Sequence, residues 1–346
     1  MGKFRALFLL SSLALILSGC GKDNLTALVP KGYGAESAMD LIILTTIVMV
    51  FVFIIVMIIY TIVLIRFRKK KGQEDIIPKQ VEGNKTLETI WTIIPILLLL
   101  IIAVPTVTAT FDLADETGKE DAINIHVTGN QFWWHFNYEG EEIQTSQDLY
   151  IPVGERVYLD MISSDVIHSF WVPTIAGKMD TNPENENTMY IEAYEEGVYW
   201  GKCAELCGPS HSLMDFKVIA VSPEEYDQWV ADMQNVDPEE EPQDAVVQEG
   251  KELFEANNCM SCHAIGSSPA AIGPNLTNFG DRSTIAGFLE PTKENLVDWI
   301  VDPESIKPGN KMTGNYPNVS EEEAESIAEY LMQLQPSEVT PESAGN

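Results

Sequence analysis

Two stretches of this sequence stay apolar for longer than a soluble fold requires. From Met39 to Ile65 only Asp40, Thr45, Thr46, Tyr60 and Thr61 interrupt the hydrophobic run, and a second run extends from about Ile90 to Phe111. Each is long enough to cross a bilayer as a tilted helix. Pro95 and Pro105 fall inside the second run, which membrane helices tolerate. A shorter apolar run, Leu7 to Leu17, follows Lys3 and Arg5 and leads into Ser18-Gly19-Cys20. It is too short to span and has the form of a secretory signal over residues 1–19. Between the long runs lies Arg66-Phe67-Arg68-Lys69-Lys70-Lys71, and a cationic loop of this kind belongs on the cytoplasmic side. Everything after Phe111 is therefore expected outside the cytoplasm.

Past residue 122 the hydrophobic period changes. Ile123, Ile125 and Val127 alternate with polar positions, as do Val157, Leu159 and Met161, and Pro152-Val153-Gly154 and Glu196-Gly197 supply turns. This predicts the short strands of a β-sandwich across 122–221. Asp237-Pro238-Glu239-Glu240-Glu241-Pro242-Gln243-Asp244 can continue neither helix nor strand and reads as a linker. Helical spacing follows, first over Ala245 to Ala256 and later over Glu321 to Leu334, where Ile327, Tyr330, Leu331 and Leu334 share a core face. The 346 residues exceed what one core usually serves. The expected organisation is an N-terminal segment with two transmembrane helices at 20–111, a sandwich at 112–236, a linker at 237–244 and a small all-α domain at 245–346.

Charge sharpens this division. Residues 1–111 carry 11 of the 21 Lys and Arg but only 7 of the 52 Asp and Glu, so the remainder has a formal charge of -35 out of a total of -31. Such a surface repels nucleic acid; it either attracts basic proteins and cations or simply keeps the domains solvated.

Four of the five cysteines form two close pairs, a spacing that suggests cofactors rather than a disulfide scaffold. The first pair sits in Cys203-Ala204-Glu205-Leu206-Cys207-Gly208-Pro209-Ser210-His211-Ser212-Leu213-Met214. Two thiolates, an imidazole and a thioether make a soft ligand set suited to copper, and His168 could complete it from another loop. Thiolates four residues apart can bridge two copper ions; His168, His211, Met214 and the Glu205 carbonyl would supply the remaining ligands. A Cys203–Cys207 disulfide would leave the placement of His211 and Met214 unexplained. With Asp165-Val166-Ile167-His168-Ser169-Phe170, this stretch resembles the binuclear CuA motif of cytochrome c oxidase subunit II. The resemblance implies a cupredoxin-like sandwich and a Mg2+ site shared with the large subunit I, which the Glu205 carboxylate would reach. The segment Gly129-Asn130-Gln131-Phe132-Trp133-Trp134 is similar to the aromatic stretch through which electrons reach CuA, with Phe132 where Trp is common. Phe132, Trp133 and Trp134 are candidate electron ports, or aromatic packing. Glu88, in Lys85-Thr86-Leu87-Glu88-Thr89-Ile90-Trp91-Thr92, matches the family's proton-pathway position, although the helix macrodipole alone also favours a carboxylate there. The residues before Cys20 resemble a lipoprotein cleavage site, which would make that cysteine a lipid anchor. His126 and His135 have no partner motif and are expected to be structural.

The second pair lies in Cys259-Met260-Ser261-Cys262-His263, the c-type haem attachment pattern: both thiols join the haem and His263 is the proximal ligand. Gly273-Pro274-Asn275-Leu276 resembles the proline loop of small cytochromes c. Met312 is the expected sixth ligand, because Met260 is too close to the attachment cysteines and Met332 falls on a packed helix. The whole resembles a caa-type subunit II with a fused cytochrome c. This implies an electron-input subunit in a bacterial membrane, taking electrons from a cytochrome c or upstream reductase and delivering them to subunit I and its neighbours in a proton-translocating oxidase. A carrier serving another reductase is disfavoured by the two spans and the Glu88 segment, and a copper-delivery protein by the haem motif. A quinol oxidase subunit would lack Cys203, Cys207 and His211.

Overall fold

A computed structural model describes residues 8, 24–68, 82–268, 270 and 272–344. Cys20 and Lys69–Lys71 lie outside the described residues. Glu36–Thr117 form one unit, and the chain before and after them forms the other.

The first unit holds two long helices, α1 (Tyr33–Arg66) and α2 (Lys85–Leu113). Their apolar side chains stay uncovered by protein, as lipid-facing surface must. Several threonine hydroxyls within them are satisfied internally. The hydroxyls of Thr45, Thr61, Thr92 and Thr106 each donate to the carbonyl four residues back, the arrangement a medium without water demands. Asn84 caps α2, its side chain accepting from the Thr86 and Leu87 N–H groups.

The second unit contains the sandwich. Its strands are β1 (Ile123–Asn130), β2 (Trp133–Tyr138), β3 (Ile143–Ser146), β4 (Asp148–Pro152), β5 (Val157–Ser163), β6 (His168–Trp171), β7 (Lys178–Thr181), β8 (Asn187–Ile191), β9 (Gly197–Cys203) and β10 (Asp215–Val221). They form two five-stranded sheets, ordered β3-β2-β1-β5-β8 and β4-β10-β9-β6-β7. β1 runs parallel to β5 and β4 parallel to β10; the other pairs are antiparallel. β1 alternates as the sequence predicts, with Ile125 and Val127 fully buried, whereas β5 is buried on both faces from Val157 through Met161. A helix unread in the sequence, α3 (Pro223–Gln234), opens with a Ser222/Glu225 capping box and lays Trp229 against Tyr150, with ring centroids 4.6 Å apart.

The remainder is helical: α4 (Ala245–Ala256), α5 (Lys293–Val301), α6 (Pro303–Ile306) and α7 (Glu321–Met332). Asp244 caps α4 and a Ser320/Glu323 box opens α7. Described residues beyond 336 return to the sandwich. Ser337 donates to Asp232 of α3 at 2.7 Å, and Val339 and Ala344, the latter in α8 (Pro341–Ala344), join the buried core of the sandwich.

Candidate copper and haem sites

The copper-ligand candidates come from three places in the sandwich. Cys203 ends β9, Cys207 and His211 lie in the loop that follows, and Met214 stands just before β10. His168 opens β6, which pairs with β9 so that Phe170 faces Cys203. The sheet thus brings together residues 35 apart in sequence. Cys203 and Cys207 are free thiols, their sulfurs 3.8 Å apart. His168 Nδ1 is 3.9 Å from Cys203 Sγ, His211 Nδ1 is 3.6 Å from Cys207 Sγ, and Met214 Sδ is 3.8 Å from Cys207 Sγ. The Glu205 carbonyl is 3.3 Å from Cys203 Sγ, while the Glu205 side chain is exposed.

The two thiols share their protonation. The hydrogen bond from Cys207 holds the Cys203 thiol down at about 3, and His168 helps. Sharing that proton and being buried push Cys207 well above the ordinary thiol range. Two buried thiols this close resist double ionisation unless positive charge lies between them. Burial opposes the His168 imidazolium, but hydrogen bonds to Asp165 and Cys203 raise its pKa overall. Asp165 Oδ1 lies 2.8 Å from His168 Nε2, fixing the ring with Nδ1 toward the sulfurs. Burial opposes the Asp165 charge too, yet hydrogen bonds from His168, Lys311 and the Gln131 and Val166 backbone hold its carboxyl well below the usual range. The donor set, two soft sulfurs with imidazole nitrogens and a thioether, fits copper.

The second site is a cavity of about 1350 Å³, its open mouth included, in which Cys259, Cys262, His263 and Met312 all form walls. His263 Nδ1 donates to the Pro274 carbonyl at 2.8 Å, leaving Nε2 for a metal. Burial keeps this ring neutral by lowering its pKa. Gly273 is required beside it: a Cβ there would stand 2.8 Å from His263 Cε1. The apolar walls include Phe254, Leu296, Trp299 and Ile300. Thiols, a neutral imidazole and a thioether around an apolar cavity fit a covalently attached haem. Met260 is exposed, and Met332 packs at the domain core rather than in the cavity. Met312→Ala should therefore leave haem covalently attached but turn it high-spin or water-ligated at a lower potential. Met332→Ala should cost only stability, about 2 kcal/mol for a partly buried site. Visible spectra and redox titration of both variants check this; loss of the methionine signature in Met332→Ala alone would reverse the assignment.

The aromatic segment divides. Phe132 and Trp133 line the haem cavity. Trp134 points the other way from β2 into the sandwich core, edge-on to Phe170 at 5.6 Å and 6.0 Å from the His168 ring. Gln131, unremarked in the sequence, also lines the cavity, and its amide donates to the Cys207 carbonyl at 2.5 Å. Residues of this kind carry no local signature; only the fold reveals them. Glu88 is exposed in the first turn of α2, remote in sequence from both sites. His126 pairs with Glu139, and burial lowers the pKa of His135.

A β-sandwich with a sulfur-rich cluster of copper-type donors, a cavity walled by a haem-attachment motif and two bilayer-length helices define a membrane-anchored electron-transfer protein. Family profiles for the transmembrane and periplasmic domains of cytochrome c oxidase subunit II match residues 34–108 and 140–221, and one for cytochrome c matches 247–335. Cytochrome c oxidase subunit 2 of Alkalihalophilus pseudofirmus is 52% identical over 94% of this chain and 95% of its own length. That of Bacillus subtilis is 46% identical over 96% and 98%. A crystal structure of the periplasmic domain of subunit II from Bradyrhizobium japonicum is 26% identical, with a TM-score of 0.31, over 32% of this chain and 91% of that one. The chain belongs to the cytochrome c oxidase subunit II family, in the form that carries a fused cytochrome c domain. It is an electron-input subunit of a haem-copper oxidase, a membrane protein with its sandwich and cytochrome domains extracytoplasmic.

Proposed function

We propose that electrons from a cytochrome c or an upstream reductase are received in the cytochrome domain, handed to the copper loop, and passed on to oxidase subunit I, where oxygen is reduced. The observation that carries this reading is the shared wall: Gln131, Phe132 and Trp133, at the edge of the sandwich, form part of the same cavity as Cys259, Cys262 and His263. When bound, haem c and the binuclear copper supply one-electron carriers. The protein residues hold them. Cys259, Cys262, His263 and Met312 would hold the haem, and Cys203, Cys207, His168, His211, Met214 and the Glu205 carbonyl would hold the copper. Burial of the sulfurs limits water and the structural rearrangement that accompanies a change of charge. The exposed Glu205 carboxylate is free to reach a Mg2+ ion shared with subunit I. Trp133, half-buried on the cavity wall, fits an electron port better than the core-packed Trp134, while Phe132 both lines the cavity and belongs to the sandwich core. Glu88 would take part in proton uptake, and Cys20 would carry a lipid anchor.

The test is stoichiometry on the intact complex. Metal analysis and the pyridine haemochrome should give two coppers and one haem c in this chain, together with oxygen uptake by the complex. One copper, or zinc in its place, would overturn the binuclear assignment.

A further inference from the structure

The copper loop and the methionine loop meet at one carboxylate. Asp165 Oδ1 holds His168 Nε2, and Asp165 Oδ2 accepts from Lys311 Nζ at 2.8 Å and from the Gln131 backbone N–H at 2.9 Å. Lys311 immediately precedes Met312. His168 and Lys311 therefore belong to different redox sites, and Lys311 lies 146 residues from Asp165 along the chain. Other contacts close the seam around it. Ser210, fully buried beside His211, donates to the Pro308 carbonyl at 2.7 Å. Gly309 approaches Pro209 so closely that a Cβ at 309 would stand 2.9 Å from Pro209 Cγ. The contact is not a loose encounter of surface charges: Asp165 retains only 13% side-chain exposure, against 44% for Lys311.

We propose that Lys311 is a positioning residue for the copper site, latching the methionine loop onto Asp165 and thereby setting the charge that the His168 ring meets. This rests on the assignment of His168 as a copper ligand. A carboxylate on the outer nitrogen of a ligating imidazole raises the basicity of the inner one, which favours the more highly charged, oxidised metal. An ammonium on the same carboxylate offsets part of that effect. With the cytochrome seated, the copper site is the better electron acceptor; with the loop lifted off, Asp165 acts on His168 undiminished and the site accepts less readily. Docking of the donor domain and readiness of the acceptor are coupled through one side chain.

The experiment uses the full-length subunit with Lys311→Arg, Lys311→Ala and Lys311→Glu. In copper-loaded protein the midpoint potential of the copper centre should stay near the parent value in Lys311→Arg, fall in Lys311→Ala and fall further in Lys311→Glu, with haem content unchanged. In copper-free protein, amide hydrogen exchange across 165–168 should rise about tenfold in Lys311→Glu, the loss of one hydrogen bond to a charged group. A parent potential and parent exchange in Lys311→Glu would overturn the latch, as would an equal shift in Lys311→Arg, which would indicate packing rather than charge. Copper content of the parent checks the ligand assignment separately, and the exchange measurement decides the latch even if that assignment fails. If Lys311→Glu does not fold, the ordering of Arg above Ala carries the same decision.

Discussion

Cys203→Ser or Cys207→Ser is expected to strip the chain of its copper while leaving haem c attached. The two sulfurs stand 3.8 Å apart, each with a histidine nitrogen within 4 Å, so each thiolate is placed where it would serve both proposed metal positions. A serine hydroxyl does not ionise at neutral pH and is a hard donor, so replacing either sulfur removes the bridge and the softness that selects copper together. Loss of a group one shell further out commonly costs 10–100-fold in metal affinity; loss of a bridging ligand should exceed about 100-fold on the same scale. The fold should survive, since serine is no larger than cysteine. The haem residues Cys259, Cys262, His263 and Met312 all lie in the other domain. Metal analysis with visible spectroscopy reads both centres in one sample. Parent-level copper in either variant would sink the bridging role, and joint loss of copper and haem would show that the two domains mature together.

Much of the architecture is legible in the sequence because local patterns carry it. The two spans declare themselves by length, β1 and β5 by strict alternation, and the haem motif by residues that are neighbours in sequence. The copper loop is legible for the same reason: all its ligand candidates but His168 fall within twelve residues. The aromatic segment was only half legible. Trp133 and Trp134 are adjacent, so in a strand they face opposite sides, and the alternation that continues through Phe136 and Tyr138 sends Trp134 inward. The capping box at Ser222/Glu225 announced α3, but its single turn signal was overshadowed by the strands before it. Nothing local marks the Asp165–Lys311 pair, the Gln131–Cys207 hydrogen bond or the return of Val339 to the sandwich. Each joins residues far apart in sequence; the Gln131–Cys207 bond appears only when the copper domain folds, and the other two only when the cytochrome and the chain beyond it are seated on that domain.

That seating changes what a truncation should do. A chain cut before Asp237 keeps every proposed copper ligand, so copper should still bind. Yet the cut also removes Val339 and Ala344, which help fill the sandwich core, and the Ser337 contact to Asp232. Burial of a valine-sized side chain contributes about 1.5–3 kcal/mol, so the midpoint of thermal unfolding of the copper domain should fall by roughly 5–20 °C. A second truncation after Gln335, which keeps the haem domain, should show the same loss of stability without loss of haem. The functional loss belongs to the first truncation alone. Holding the cytochrome in the same chain gives an effective concentration of order millimolar even for a loose tether. With a soluble donor at micromolar concentration, oxidation through the copper should therefore slow by about 10²–10³-fold. Added basic cytochrome should restore it in a manner that weakens with salt, because the uncovered face includes Asp165 without its Lys311 partner. Steady-state oxygen uptake by full-length and both truncated complexes, across donor concentration and ionic strength, separates these effects. Unchanged turnover after the cut at Asp237 would mean that electrons reach copper directly, through Phe132 or Trp133, and that the fused cytochrome is not on the main route.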